Sequence, residues 1–434
     1  MAVTSGEVVV YLILVLVAAT AGYFAVTDWR LAAALLLMPA GVWLISNRRA
    51  TALALAAALP YVNDISGGST GFNIALSDVL MTVLVGALAA EWMMTHQAPE
   101  LSALKALRIP LLPYVALMGV LLVFHLSTVS TIKTGQRLDL FLFPLIIGAA
   151  IVRWGDERRF LTVYVVCAGL FGLVWHFVNN YYYLGQKNPV GQFVANAIII
   201  LIAVKPLRRK LWPLAPVLIG TLFLTQSRGA IVSVGVAVIV ILALQSGVNR
   251  IRSFVAMVPL AAVTVASFML LPDDVQARNT SFTVGTGTAA EYSLHIREQY
   301  AEDAWALIHA HPYTGIGVGR YLAGSIPAGD ITTDPHQLLL LQAAEGGYLL
   351  AGLFLLLVLG TVAVIWRRAR HTELGPLAAA LTLALVSHGL VDVYWVRGTP
   401  VLGWLVTGMA LAQSVGGRTD VAAPASREPE PVPA

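Results

Sequence analysis

At 58% hydrophobic and 12% charged over 434 residues, with a mean hydropathy of +0.78, this chain is no ordinary soluble protein, whose charged fraction is about 25%. Its net charge of +4, from 27 Lys and Arg against 23 Asp and Glu, matches the basic excess of cytoplasmic loops in membrane proteins and needs no nucleic-acid partner. The single cysteine, Cys167, excludes an intrachain disulfide and reads as a small packed or lipid-facing side chain.

Apolar runs approaching the roughly 20 residues that cross about 30 Å of hydrocarbon fall near 8–26, 31–46, 50–62, 76–94, 110–126, 137–153, 160–177, 190–204, 211–226, 229–246, 252–271, 336–366, 375–393 and 399–415. The first contains Ala19, Thr20 and Ala21, faintly like a signal cleavage site, but no Lys or Arg precedes it, so it reads as a retained helix. The third ends at Pro60 before a turn-rich stretch with Gly67, Gly68 and Gly71; it is short for a span and reads as a dip into the membrane.

Taking every second loop in turn places 18 of the 27 cations on one side, among them Arg48, Arg49, Arg153, Arg158, Arg159, Arg208, Arg367 and Arg368. The other nine are Arg30, Lys133, Arg137, Lys187, Arg228, Arg278, Arg297, Arg320 and Arg397. Cationic loops stay in the cytoplasm. The partition holds only for an even number of spans, which predicts an all-α polytopic membrane protein with 12–14 transmembrane helices and both termini cytoplasmic. N-terminal helices occupy 1–271, an extracytoplasmic loop 272–335, C-terminal helices 336–415 and a Pro-rich, disordered cytoplasmic tail 416–434. Within the loop, Tyr292 to His311 is predicted to lie as a helix along the membrane surface, anchored by Leu294, Trp305, Leu307 and Ile308. The chain has no convincing internal repeat, which weighs against a transporter built from inverted halves.

The nine outward cations run against the topological bias, and ionisable groups at membrane depth point to function. Arg137 begins a span, Arg228 sits in Thr225-Gln226-Ser227-Arg228-Gly229 between two tightly joined ones, and Lys187 lies just before another. Interfacial snorkelling is the competing explanation, weakest for Arg228, whose turn is too short to let it wander. Asp334-Pro335-His336-Gln337 predicts a helix start, with Asp334 as N-cap, Pro335 at the first helical position and Gln337 completing a capping box. His336 then falls in the first turn, where the helix dipole favours a neutral imidazole able to accept a proton. A locally bonded capping-turn histidine is the plainer alternative.

Glu345 is nine residues on and faces away from His336 on a continuous helix unless Gly346 and Gly347 break it; it reads as a structural or supporting acid. His388 and Asp392, four apart, share a face and read first as a mutually satisfied buried pair. The run Gly315-Ile316-Gly317-Val318-Gly319 follows no strand and reads as a turn, not a dinucleotide loop. His309 and His311 are too sparse for a metal site, and Ser227-Arg228-Gly229 is no nucleophile elbow.

In order and spacing, Thr225 to Ala230, Arg297 fifteen residues before Pro312, Asp334 through Gly347, Ser387 to Asp392, and Asn188-Pro189 ahead of a helix resemble the bacterial O-antigen ligase and polymerase family over about residues 130–415. The resemblance departs at Gln337, where the family usually has asparagine, so a substrate contact there does not transfer directly. It implies an enzyme of the bacterial inner membrane, acting on its extracytoplasmic side, that needs no metal, nucleotide or other cofactor. Its partners would be an undecaprenyl diphosphate-linked glycan donor, a saccharide or glycolipid acceptor, and membrane lipid. Arg228 and Arg297 would hold the diphosphate, Arg137 and Lys187 would add to the field, and His336 would be the general base. Ligase and polymerase both remain open, and a lipid-linked saccharide transporter is the alternative from another class.

Overall fold

The computed structural model describes residues 46–61, 75–96, 101–178, 187–244, 289–321, 335–392 and 399–419, with isolated positions between 251 and 270. The predicted span at 8–26, most of those at 31–46 and 252–271, and the tail beyond 419 lie outside them. Every element among the described residues is helical. In chain order these are α1 (Arg48–Ala58), α2 (Leu76–Thr95), α3 (Ser102–Phe124), α4 (Thr128–Trp154), α5 (Glu157–Val178), α6 (Lys187–Ala203), α7 (Lys205–Leu211), α8 (Ala215–Leu224), α9 (Arg228–Leu244), α10 (Ala289–Ala310), α11 (Leu338–Arg368), α12 (Gly375–Gly389) and α13 (Val401–Thr419), with a short 3-10 turn, Trp212–Leu214, between α7 and α8.

Among the described residues, α2 to α4, most of α5, and α11 are long and apolar enough to cross a membrane. Of three shorter apolar helices, Gly375–Gly389 packs on α11 and Val401–Val415 on α4, while Arg228–Leu244 packs on Gly375–Gly389 and on α6. The predicted spans at 190–204 and 211–226 form one pair of helices bent by 113° at a cation-rich corner holding Lys205, Arg208, Arg209 and Lys210. The doubtful third segment is α1, eleven residues long. At 1.5 Å per residue it rises only about 16 Å, half a membrane.

The helices are held by an apolar core that includes Leu107, Phe141, Tyr164, Phe193, Phe354 and Leu405. Among the described helices, α4 and α13 approach closely. A Cβ on Gly148 would lie 2.1 Å from the Leu405 carbonyl oxygen, and one on Gly408 would lie 2.4 Å from that of Leu145. Without hydrocarbon between them, the two backbones gain dispersion contacts that larger residues would forbid.

Ion pairs define one end of this bundle. Glu91 pairs with Arg48 and, at 3.0 Å, with Arg153; Asp156 with Arg49 at 3.4 Å and Arg159 at 3.2 Å; Glu373 with Arg158 at 2.8 Å. Their cations all come from the 18 sorted to a single side by loop parity. Arg137 stands sixteen residues before Arg153 on α4, about 24 Å away along the axis, so it belongs toward the opposite end. Exposed pairs of this kind add little stability; what they mark is a shared end.

At that opposite end α11 is broken. Gly346 (φ −138°, ψ 15°) and Gly347 (φ 72°, ψ 178°) leave helical geometry, so Tyr348 to Arg368 alone measures about 31 Å, a full crossing. The eight residues Leu338 to Glu345 form a separate short piece above it. Helix α10 packs on this piece, with Ala304 and Ile308 fully buried against Leu341 and Ala344. This changes the expectation for α10: Ile308 is buried in a protein interface and Leu307 packs beside it, while Trp305 stays exposed. The apolar stripe that suggested a lipid-facing helix serves helix-to-helix packing. Leu294 lies outside the described side chains.

Candidate active site

The start of α11 departs from the sequence expectation. The N-cap is Gln337, whose side-chain oxygen accepts the backbone N–H of Leu340. His336 therefore precedes the helix and does not lie in its first turn. Gln337 can cap because its amide reaches the third helical N–H as Asp or Ser would; Asp334 lies outside the described residues. With its oxygen occupied by the cap, Gln337 retains its amide N–H groups for any other partner.

Stepping out of the helix places His336 at φ 53°, a left-handed conformation that costs a non-glycine residue of order 1 kcal/mol. Gln226, just before Ser227 and Arg228, shows the same at φ 54°. Of the three described non-glycine residues with positive φ, two lie in the motifs singled out from sequence.

The strained backbone aims His336 at Asp392, its Nδ1 lying 3.2 Å from Oδ1. Asp392 is just past the end of α12. Burial alone would raise its carboxyl, but the hydrogen bond from His336, the approach and positive field of His388 and the field of Arg297 outweigh it and hold it below the ordinary carboxylate range. An ionised carboxylate only accepts, so His336 Nδ1 must be the donor, which puts the neutral ring's lone pair on Nε2. The Tyr300 ring lies parallel to that of His336, with centroids 6.0 Å apart. Arg297, Tyr300, Ala304 and Ile308 repeat at helical spacing along one face of α10. Packing Ala304 and Ile308 against α11 therefore carries Tyr300 to His336 and brings Arg297 close enough for its charge to act on Asp392.

His388, fully buried, does pair with Asp392 as the i,i+4 spacing suggested, and each also has a further partner. Its Nε2 is 3.7 Å from Asp392 Oδ2, while Nδ1 lies 2.5 Å from Gln192 Oε1 on α6. Arg228 enters through backbone packing. A Cβ on Gly229 would meet His388 Cδ2 at 2.6 Å, and one on Gly191 would meet Ser227 Cβ at 2.7 Å. Thus the amino ends of α9 and α6, carrying exposed Arg228 and Lys187, adjoin His388; the side chain of Lys187 lies outside the described ones.

Arg137 goes elsewhere. Only 9% exposed, it forms an ion pair with Glu345, which is 1% exposed. Glu345 also accepts the backbone N–H of Gly319 at 2.9 Å, and the Tyr114 hydroxyl donates to Gln342 Oε1 at 3.1 Å close by. The charge expected to face a shared outward cavity is therefore buried against a carboxylate. At the level of sequence, an arginine near a helix start fits both places.

The glycine run 315–319 explains this second cluster. Where α11 breaks, its carbonyls need donors, and Ile316 N–H and Gly317 N–H bond to Ala344 and Glu345 carbonyls at 3.0 Å each, while Tyr348 N–H reaches Pro312 at 2.9 Å. A Cβ on Gly315 (φ 59°) would lie 2.2 Å from the carbonyl carbon of Glu345. The motif is thus a backbone clamp on a broken helix, with its N–H groups turned to protein. Gly315→Ala should destabilise the protein by about 2–4 kcal/mol, combining a disfavoured φ with overpacking, which thermal unfolding in detergent would register as a lower midpoint.

Sequence reasoning missed Gln192, Asn196, Ser233 and Tyr300. The first two carried a signal, since amides at i and i+4 inside an apolar run are expensive in hydrocarbon; Ser233 and Tyr300 carried none. Compared with known families, residues 213–355 match the model described as O-Antigen ligase. The match contains Arg228, Arg297, the glycine clamp, His336, Gln337 and Glu345, and leaves Arg137, Lys187, His388 and Asp392 outside. No curated protein matches the chain.

Proposed function

We propose that this protein, whose residues 213–355 are similar to the O-antigen ligase family and whose described helices fit a multi-pass membrane protein, is an extracytoplasmic glycosyltransferase. It would move a glycan from an undecaprenyl diphosphate carrier to a saccharide hydroxyl. The observation that carries the reading is the hydrogen bond from His336 Nδ1 to Asp392, beside a helix face that brings in Arg297. An imidazole held by a buried carboxylate at one nitrogen is suited to take a proton at the other. His336 Nε2 would accept the proton of the acceptor hydroxyl as its oxygen attacks the anomeric carbon. The bond to the lipid diphosphate breaks with its electron pair, and the diphosphate leaves as an anion.

Arg228 and Arg297 would meet that anion, since a guanidinium fork matches phosphate oxygens and offsets the charge that grows on the leaving group. Lys187 would add to the same field, from the adjoining amino end of α6. The counter-bias cations favour a site on the extracytoplasmic face of the bacterial inner membrane, where a diphosphate donor would supply the energy without ATP. Gln337, although engaged as a cap, retains N–H groups for a sugar hydroxyl.

The experiment is transfer by the full-length protein reconstituted in nanodiscs, supplied with lipid diphosphate oligosaccharide and acceptor polysaccharide from the source envelope. Arg228→Ala and Arg297→Ala are each expected to lose about 1.5–3 kcal/mol in kcat/KM, the scale of a hydrogen bond to a charged group. Variants that transfer at the wild-type rate would remove the diphosphate clamp. Product length separates ligase from polymerase: a single transfer of finished glycan supports the first, a ladder of growing repeats the second.

A further inference from the structure

Gln192 lies on α6 in the apolar run that continues through Ile198 to Ile202, and it is 0% exposed, as are Asn196, Ser233 and His388. Its amide nitrogen donates to Asn196 Oδ1 at 2.8 Å. Its oxygen accepts from Ser233 Oγ of α9 at 2.9 Å and lies 2.5 Å from His388 Nδ1 of α12. Polar groups in an apolar interior carry a desolvation penalty that only mutual bonding offsets. Here the bonding converges on one amide and joins three helices whose nearby ends carry Lys187, Arg228 and Asp392.

His388 is the link from this hub to the candidate site. With Nδ1 engaged by Gln192, Nε2 is directed at Asp392 Oδ2, 3.7 Å away, while Asp392 Oδ1 takes the bond from His336 at 3.2 Å. A carboxylate bonded at one oxygen alone can still turn about its Cβ–Cγ bond. Gln192 Oε1 only accepts, so His388 Nδ1 is the donor to it, and with a proton on Nε2 as well the ring faces the second oxygen as an imidazolium whose attraction removes that freedom. The ring of His388 is itself confined by Gly229, where even a Cβ would approach within 2.6 Å.

We propose that Gln192 is a positioning residue for glycan transfer: it fixes His388, which fixes the Asp392 carboxylate, which orients His336. The inference rests on His336 being the base. Polar cement between α6, α9 and α12 would explain the burial equally well, but it would leave the chemical step untouched once the protein is folded.

The test uses the same nanodisc assay with Gln192→Leu, Gln192→Met, Gln192→Glu, Asp392→Asn and His336→Ala. Gln192→Leu and Gln192→Met should each lower kcat about tenfold while donor KM stays within about twofold, because the defect is in the reacting geometry. In the Asp392→Asn background either change should add less than about twofold, since both act through one carboxylate. Gln192→Glu keeps oxygen acceptors toward His388 and Ser233 and should retain kcat within about threefold. Unfolding midpoints recorded on the same samples show which variants are folded, and Met supplies the result if Leu is not. A folded Gln192 variant with wild-type kcat, an effect confined to KM, or full additivity with Asp392→Asn would overturn the proposal. If His336→Ala transfers normally, the base assignment falls with it; if His336→Ala is inactive and Gln192→Met is normal, the positioning role alone is lost.

Discussion

His336→Ala is expected to cut kcat for glycan transfer by about 10²–10⁴, the range a positioned general base contributes, with donor KM little changed. The prediction is sharp because the position is strained: His336 occupies φ 53°, where glycine is at ease. His336→Gly should therefore lose the same rate with an unfolding midpoint no lower than wild type. A variant more comfortable in the fold yet inactive would mark a residue retained for chemistry. The acid side of the pH profile adds a second check. Asp392 is held below the ordinary carboxylate range, chiefly by its histidine contacts acting against burial. A depressed pKa makes its contribution complete above about pH 4 and lost only as pH falls through the lowered value. Loss of transfer between about pH 5 and 7 in a protein that stays folded thus belongs to a different group. Asp392→Asn keeps size but loses the charge, and its amide NH2 can donate to Nδ1 so that the His336 tautomer is no longer fixed; it should approach the His336→Ala rate. Wild-type turnover in His336→Gly, measured on monodisperse protein, would end the base assignment.

The membrane class and many of the helices were legible because hydrophobic runs and charge asymmetry are local properties of a chain. Arg228, Arg297 and His336 stood out as candidates for a related reason: cations that run against loop parity, or a histidine at a helix mouth, are conspicuous against a low background of charge. The partnership of His336 with Asp392 was not, since 56 residues and two helices separate them and nothing local in either motif announces the other. His388 and Asp392 were legible as a buried pair but not as part of a chain. Their i,i+4 spacing advertises the pair, and the structure adds His336 on Asp392 and Gln192 on His388. The break at Gly346 and Gly347 was visible as a possibility, but what fills it was not. The glycine run 315–319, readable only as a turn, acquires its meaning from the carbonyls of α11 that it satisfies. Local pattern gave the elements and the unusual residues; long-range pairing assigned their partners.

Arg137 is where the two levels part most, and its pairing makes a measurable difference. Removing one member of a buried ion pair leaves the other charge without compensation, at a cost of about 3–5 kcal/mol, while replacing both with apolar residues of similar volume is often neutral. Arg137 and Glu345 are 9% and 1% exposed. Glu345→Leu should accordingly lower the unfolding midpoint severely, and would also strip the acceptor from the Gly319 N–H that closes the glycine clamp. Arg137→Met should do the same through the orphaned carboxylate. The double variant Arg137→Met/Glu345→Leu should recover much of that loss, falling short by the clamp bond, about 1 kcal/mol. Thermal unfolding of the four proteins in one detergent measures the coupling directly, and donor KM on the folded members completes the comparison. A donor-binding arginine predicts another outcome: Arg137→Met would raise donor KM about tenfold or more with its midpoint unchanged, and the double variant would recover nothing. Burial against Glu345 favours the first result, which would leave Arg228 and Arg297 as the cations that meet the diphosphate and make Arg137 the residue that secures the broken helix on which His336 is mounted.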